Sequence, residues 1–73
     1  MAAVDARRQF AQNLRAQREK QGLSQEALAF ACELHRTEIS LLERAGRDPR
    51  LSTIVRLARG LDVQPARLLR GID

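Results

Sequence analysis

The chain of 73 residues has no tryptophan and no tyrosine, and it contains only two phenylalanines and one cysteine. A single thiol, Cys32, cannot form a disulfide within the chain, which fits the reducing environment of the cytosol. The scarcity of aromatic residues disfavours strands, because aromatic and β-branched side chains are the ones that pack well on a pleated sheet. These absences argue against a disulfide-stapled secreted domain and against an all-β fold.

Long hydrophobic runs are also missing. The longest covers residues 27–32, six in all, whereas a membrane-spanning helix needs about 20 apolar residues. The start of the chain lacks the apolar segment of a secretory signal. We therefore expect a cytoplasmic protein that has no membrane partner.

Patterns of catalytic or metal-binding residues are lacking as well. Cys32 and His35 form one C-x-x-H pair, but a zinc site needs a second pair. No nucleophile stands in a recognisable pattern with a base, and Cys32 is best explained as a small buried apolar residue. We expect no enzyme activity, no metal site and no cofactor.

The residues that are abundant favour helices. Alanine, leucine, arginine, glutamine and glutamate dominate, and they lose little conformational freedom in a helix. A chain this short builds one core, so we predict a single all-α domain over residues 1–73. The net charge of +4 suggests an acidic partner such as nucleic acid, although residues 24–50 carry four arginines against five acidic residues.

Glycines, prolines and capping residues divide the chain into five predicted helices. Asp5 is a suitable N-cap for the first helix, and Gly22 is a suitable C-terminal stop. Ser24 can cap the second helix and Ser52 the fourth, with Leu51 packed onto the fourth as a hydrophobic staple. The predicted helices cover residues 6–20, 25–31, 36–45, 53–61 and 65–70.

The second and third predicted helices are joined by only three residues, 32–34, which is the connection length of a helix-turn-helix. Glu33 falls where the backbone needs a positive φ, a conformation that glycine adopts most easily. Helix 36–45, called the recognition helix below, turns Ile39 and Leu42 inward. Its other face carries Arg36, Thr37, Ser40, Leu41 and Arg44.

This outer face suits the edges of DNA bases. An α-helix fits the major groove of B-DNA, so a docked recognition helix can present four or five side chains to the bases. Arg36 can form a bidentate contact with guanine, Thr37 and Ser40 can donate or accept hydrogen bonds, and Leu41 can touch a thymine methyl group. The motif at residues 24–45 therefore predicts readout of double-stranded DNA.

Other residues of the motif suit the phosphate backbone. The free N–H groups that begin the second helix, together with the side chain of Gln25, can hold a phosphate. Arg44, Arg47 and Arg50 lie in or after the end of the recognition helix, where cations can grip the backbone on either side. His35 is expected to be a helix cap or a neighbour of a phosphate.

Glu38 has two interpretations. As the third residue after the cap His35 it can reach back to the cap N–H in a capping box. It can alternatively accept a hydrogen bond from cytosine. We favour the capping box.

These motifs resemble the Cro/repressor-type helix-turn-helix family, also called the XRE family or lambda repressor-like domain. The similarity extends over about residues 10–69 and is carried by G-L-S-Q-E-x-L-A at 22–29, R-T-x-I-S at 36–40, L-E-R at 42–44 and P-x-L-x-T-I-x-x-L-A at 49–58. In size the chain is similar to controller proteins of restriction–modification systems.

The resemblance implies a compact five-helix fold, sequence-specific operator binding and dimerisation on a palindromic site. It also implies that Arg18 and Glu43 form an internal ion pair between the first and third helices. Leu68, Leu69 and Ile72 exceed what one short helix can hide, so we prefer a dimer contact for them over core packing or a frayed tail.

We accordingly predict a homodimeric transcriptional regulator that binds an operator through the major groove. An alternative is the antitoxin of a toxin–antitoxin pair, in which the same fold also binds a toxin. The sequence does not identify a protein partner, whether RNA polymerase or a toxin.

Overall fold

The computed structural model describes residues 3–73 of the chain. Over these residues the chain forms five helices, as predicted, and no strand. None of these helices has both the length and the apolar character that crossing a membrane requires. The helices are α1 (Ala3–Lys20), α2 (Gln25–Cys32), α3 (Arg36–Glu43), α4 (Leu51–Leu61) and α5 (Pro65–Leu68).

The core is built from the apolar stripe of every helix. Helix α2 packs on α3 and α4, while α1 packs on α3 and α5, and α5 also contacts α4. Because α3 packs on both α1 and α2, its orientation depends on the whole core. The largest fully buried side chains are those of Leu14, Leu28, Ile39, Leu42, Leu57, Leu61 and Leu68.

The helix boundaries near the start of the chain agree only partly with the prediction. Helix α1 begins at Ala3, so Asp5 lies inside its first turn and is not its N-cap. The chain leaves α1 as predicted at Gly22, which has a φ of 69°. Ser24 is the N-cap of α2, since its hydroxyl accepts a hydrogen bond of 3.0 Å from the N–H of Ala27.

The start of α4 differs from the prediction. The helix begins at Leu51, and Arg50 is its N-cap residue without a side-chain cap, so Ser52 lies within the first turn. The predicted hydrophobic staple is also wrong, because Leu51 is 77% exposed. Leu51 lies one turn before Ile54, the core residue nearest the start of α4, and is therefore beyond the edge of the core.

Side chains of α1 and of the turn that follows it cap the ends of two other helices. Gln21 Nε2 donates a hydrogen bond of 2.6 Å to the carbonyl of Leu61, the last residue of α4. Asn13 Nδ2 donates to the carbonyls of Leu68 and Arg70, at 2.9 and 2.8 Å. These bonds satisfy helix-end carbonyls that have no partner within their own helix.

The last helix corrects the prediction of a dimer contact at Leu68. Helix α5 ends at Leu68 rather than at residue 70, and the Leu68 side chain is 0% exposed. A side chain that the core has already covered cannot contact a second chain. Leu69, which is 41% exposed, and Ile72, which is partly buried against the core, are still available for that role.

Candidate nucleic-acid interface

The connection between α2 and α3 is a tight turn with the strained residue that the sequence indicates. Glu33 adopts φ 56° and ψ 41°, the left-handed conformation predicted for this position. Its N–H donates to the carbonyl of Phe30, and the next N–H, that of Leu34, donates to the carbonyl of Ala29 at 2.9 Å. The turn thereby closes the end of α2, and three residues, 33–35, separate it from α3 instead of the predicted 32–34.

Helix α3 begins with a histidine cap. The N–H of Thr37 donates to Nδ1 of His35 at 3.2 Å, so Nδ1 acts as an acceptor. The neutral tautomer that fits this bond carries its proton on Nε2. Since His35 is exposed, its Nε2–H is free to donate to a phosphate, which stays a prediction.

The two faces of α3 separate as the sequence predicts. Ile39 and Leu42 are buried in the core, whereas Arg36 and Thr37 are exposed and Ser40 is partly exposed. These three polar residues line one shallow open pocket of about 180 Å³. They are therefore neighbours on one surface and can face a common partner.

Two further outward residues of the recognition helix lie nearer its end. Leu41 is half-buried, and the N–H of Gly46 donates to its carbonyl at 2.9 Å. Arg44 is exposed and follows the last residue of α3. The helix stops at Glu43 rather than at the predicted residue 45, because Ala45 has a φ of 57°.

A buried ion pair fixes α3 against α1. Arg18 Nε and Nη2 donate to the two carboxylate oxygens of Glu43 at 2.7 and 3.0 Å, and the two side chains are only 13% and 4% exposed. Arg18 also donates to the carbonyl of Leu23 at 2.8 Å. The hydrogen bond to Glu43 raises the pKa of Arg18, against the opposing effect of burial. This bidentate geometry joins α1 to the end of α3 and to the approach to α2.

Gln25 belongs to the same network. The Nε2 atom of Gln25 donates to Glu43 Oε1 at 3.1 Å. This bond holds the Gln25 side chain between the start of α2 and the end of α3. The sequence assigned Gln25 to a phosphate contact, and the structure adds an internal partner that the sequence did not indicate. Its contact with DNA stays a prediction.

The capping box predicted for Glu38 is wrong. Its carboxylate pairs with Arg47, whose Nη1 donates to Glu38 Oε1. Arg47 lies in the loop after α3, so the pair ties this loop back to the recognition helix. Glu38 pairs with Arg47, nine residues away, rather than with the N–H of the cap residue, because the guanidinium supplies both a hydrogen-bond donor and the opposite charge.

The loop after α3 borders an open cleft of about 700 Å³, whose walls include three arginines and two acidic residues. Arg47 and Arg50, both predicted to contact phosphate, line this cleft. The structure adds Arg56, which the sequence analysis missed; its Nη1 donates to the carbonyl of Glu33 at 3.4 Å. The only signal available was its outward position on α4, opposite the apolar stripe.

Two short helices joined by a tight turn, with a buried aliphatic face and an outer face of Arg36, Thr37 and Ser40, define a helix-turn-helix DNA-binding domain. A family model described as helix-turn-helix matches residues 14–68. The chain therefore belongs to the helix-turn-helix family of the XRE type, which consists of DNA-binding transcriptional regulators rather than enzymes.

Curated relatives carry the names of control proteins. Control protein C.BamHI of Bacillus amyloliquefaciens is 50% identical over 50 residues, which are 68% of this chain and 62% of that protein. Control protein C.SmaI of Serratia marcescens is 41% identical over 66 residues, which are 90% of this chain and 79% of that protein. The chain thus matches less than two thirds of the length of the first relative.

A solved structure agrees with these relatives. The restriction-modification controller protein C.AhdI from Aeromonas hydrophila superposes with a TM-score of 0.83 at 42% identity, covering 85% of this chain and 94% of that one. The similarity extends to nearly all of that protein, so the two chains share the five-helix fold.

Proposed function

We propose that the protein is a sequence-specific transcriptional regulator that binds a palindromic operator as a homodimer. The observation that carries the proposal is the common pocket of Arg36, Thr37 and Ser40 on a helix whose opposite face is locked into the core. A rigid helix with a polar outer face matches the width of the major groove. The match spans 62% of one relative, and we extend the proposal of regulator activity to the whole protein.

Base readout is assigned to the start and middle of α3. Arg36 donates two hydrogen bonds to guanine, Thr37 and Ser40 contact neighbouring base edges, and Leu41 packs on a thymine methyl group. The exposure of Arg36 and Thr37 supports this assignment.

Backbone contacts are assigned to the residues that surround this face. The exposed cap His35, the N-terminal turn of α2 with Gln25, and the arginines 44, 47 and 50 are placed to contact phosphates. Such contacts release counterions, so binding should weaken steeply as salt is raised.

Dimerisation is assigned to the exposed surface behind α5. Leu69 and Ile72 border a hollow of about 200 Å³ whose other walls include Phe10 and Pro49. A two-fold dimer built on this surface would present two recognition helices to successive major grooves about 34 Å apart. That spacing requires an inverted repeat in the DNA.

The names of the relatives suggest which genes are regulated. C.AhdI is a restriction-modification controller protein, and we propose that this chain controls the genes of such a system. A regulator of this kind must work in the compartment that holds the DNA, which in a bacterium is the cytoplasm.

Selection of bound duplexes from a random pool tests the proposal. We expect an enriched inverted repeat with half-sites about one helical turn apart. Arg36→Ala should weaken binding to a single half-site by roughly 10- to 100-fold, the cost of one bidentate base contact, and should relax the preference at one position of each half-site. Binding to the full inverted repeat should weaken by more, because the dimer loses two such contacts.

Arg59→Ala is the matched control, because it removes the same charge from an exposed site on α4. It should change affinity far less than Arg36→Ala does. A folded Arg36→Ala variant with undiminished affinity for the selected duplex would refute the assignment of α3 to the major groove.

A further inference from the structure

The ion pair between Glu38 and Arg47 lies beside the surface assigned to DNA. Helix α3 contains two carboxylates, and Glu43 is buried against Arg18. Glu38 is different, since its side chain is 20% exposed and borders the open cleft after α3. Its partner Arg47 is 52% exposed, so both charges of the pair are within reach of solvent and of a nearby phosphate.

This pair has an electrostatic consequence for any duplex that approaches α3. Attraction between cations and phosphates supplies almost all of the affinity for non-specific DNA. A carboxylate that neutralises an arginine at the interface removes that arginine from this attraction, and it also repels phosphates directly. The paired Arg47 keeps further N–H donors that Glu38 does not use, so a phosphate in the right position can still be hydrogen-bonded.

We infer that Glu38 is a specificity-determining residue of the DNA-binding surface. It masks the charge of Arg47 against random sequences, and it positions the guanidinium next to α3, where it meets a phosphate only when α3 is seated in the groove. The inference rests on the proposed function. Its core claim is that Glu38 lowers non-specific binding more than it lowers operator binding.

The Glu38→Gln variant tests this claim, because it keeps the size of the side chain and removes the charge. Binding of a fluorescently labelled random-sequence duplex is measured by anisotropy between about 50 and 200 mM KCl. We expect this binding to tighten on the order of fivefold at the lower salt, from the loss of one repulsive charge at close range. The log–log salt slope should steepen by about 0.9 for each bound subunit, the value for one added phosphate contact.

Binding to the duplex obtained by selection should tighten less, so that the ratio of specific to non-specific affinity falls. The double variant Glu38→Gln/Arg47→Met tests the mechanism, since it removes the cation that the first change releases. We expect its salt slope to return to that of the wild type. Additive effects of the two changes would contradict a coupled pair.

Glu19→Gln is the matched control. Glu19 also pairs with an exposed arginine, Arg15, at 3.2 Å, but on α1. The change in net charge is the same as in Glu38→Gln. The affinity of Glu19→Gln for the random duplex should nonetheless be close to that of the wild type. An equal gain for both variants would overturn the inference in favour of a general effect of net charge, whereas a wild-type protein that binds no duplex would refute the proposed function itself.

Discussion

Gly60 of α4 lies directly against the last turn of α2. A Cβ atom at this position would overlap Sγ of Cys32 and lie 3.3 Å from the carbonyl of Ala31. Cys32 is buried and both helices are fixed by the core, so neither neighbour can move away at low cost. Glycine is therefore required at residue 60 by the packing of two helices and not by its backbone conformation.

The Gly60→Ala variant should lower the free energy of unfolding by about 1 to 3 kcal/mol, the usual cost of overpacking. The loss should appear although alanine is favoured over glycine in a helix by about 1 kcal/mol. Urea denaturation followed by circular dichroism measures it.

Gly46→Ala is a suitable control for this change, because the nearest atoms to its added Cβ lie at 3.4 and 3.5 Å, which is ordinary contact. It should have little effect on unfolding. Adding Cys32→Ala to Gly60→Ala should recover part of the lost stability, and the absence of any recovery would contradict the overlap with Sγ.

The buried thiol of Cys32 predicts a loss of stability in alkaline solution. Burial raises the pKa of Cys32 to about 11, whereas a cysteine in an unfolded chain titrates near 8.5. Between these two values the unfolded chain has lost the proton and the folded chain keeps it, so stability falls as pH rises. The fall attributable to Cys32 should be roughly 2 to 3 kcal/mol between pH 8.5 and 11.

The measurement compares urea denaturation of the wild type and Cys32→Ala across this pH range. The variant is less stable at pH 8 because it leaves a small cavity, but it should lose less stability as pH increases. Parallel pH profiles for the two proteins would show that the thiol does not cause the change.

Single residues could be predicted where a local rule governs them. Glu33 was expected to have a positive φ and His35 to cap α3, and both are confirmed because each depends only on neighbours in the chain. Glu38 was assigned wrongly because its partner, Arg47, is brought close by the path of a loop. Periodicity and capping rules contain no information about that path.

At the scale of elements, α5 depends on α1 for its end. Helix α5 has only four residues, too few to be stable alone. The amide of Asn13 binds the carbonyls of Leu68 and Arg70, and its Oδ1 accepts from Gln9 Nε2 at 3.0 Å. The two bonds to the carbonyls connect residues more than fifty positions apart in the sequence.

Replacing the donor by an acceptor tests this cap. Asn13→Asp places a carboxylate against two carbonyl oxygens, and it should destabilise the fold by about 1 to 3 kcal/mol, the net contribution of two hydrogen bonds that are partly exposed. The rate of hydrogen exchange should increase most at the N–H groups of Leu69 and Ile72, which donate hydrogen bonds within this last segment.

The neighbouring change Gln12→Glu has the same chemistry on an exposed side chain and should leave both stability and exchange nearly unchanged. If Asn13→Asp behaves like Gln12→Glu, the cap does not hold α5.

Helix number and most helix starts could be predicted, because capping residues and apolar periodicity are local signals. The starts of α2, α3 and α5 agree with the sequence, while α4 begins two residues early. Arginine is not a typical capping residue, and Arg50 makes no side-chain cap. The sequence therefore indicated Ser52 as the N-cap of α4. The end of α3 was missed because a positive φ at Ala45 has no signature in an alanine.

At the scale of the whole molecule, the same core that orients α3 also decides which apolar side chains remain exposed for a dimer interface. The apolar residues near the end of the chain could be recognised from the sequence as more than α5 alone can bury. Which of them face inward depends on how α1 and α4 enclose α5, and this is why Leu68 was wrongly assigned to an interface. Near the end of the chain, the exposed apolar surface that is left centres on Leu69.

The dimer prediction can therefore be tested by changing one side chain, that of Leu69. Leu69→Glu puts a charge on the hollow bordered by Phe10 and Ile72, and a desolvated, unpaired charge at an interface costs several kcal/mol. Sedimentation should show a monomer with an unchanged circular dichroism spectrum. Binding to a full palindrome should weaken far more than binding to a single half-site, because only the former uses both recognition helices at once. Phe30→Glu, which alters an apolar residue on α2 that is more exposed than Leu69, should leave the dimer intact. The reverse result would move the two-fold axis from α5 to α2 and change the predicted half-site spacing.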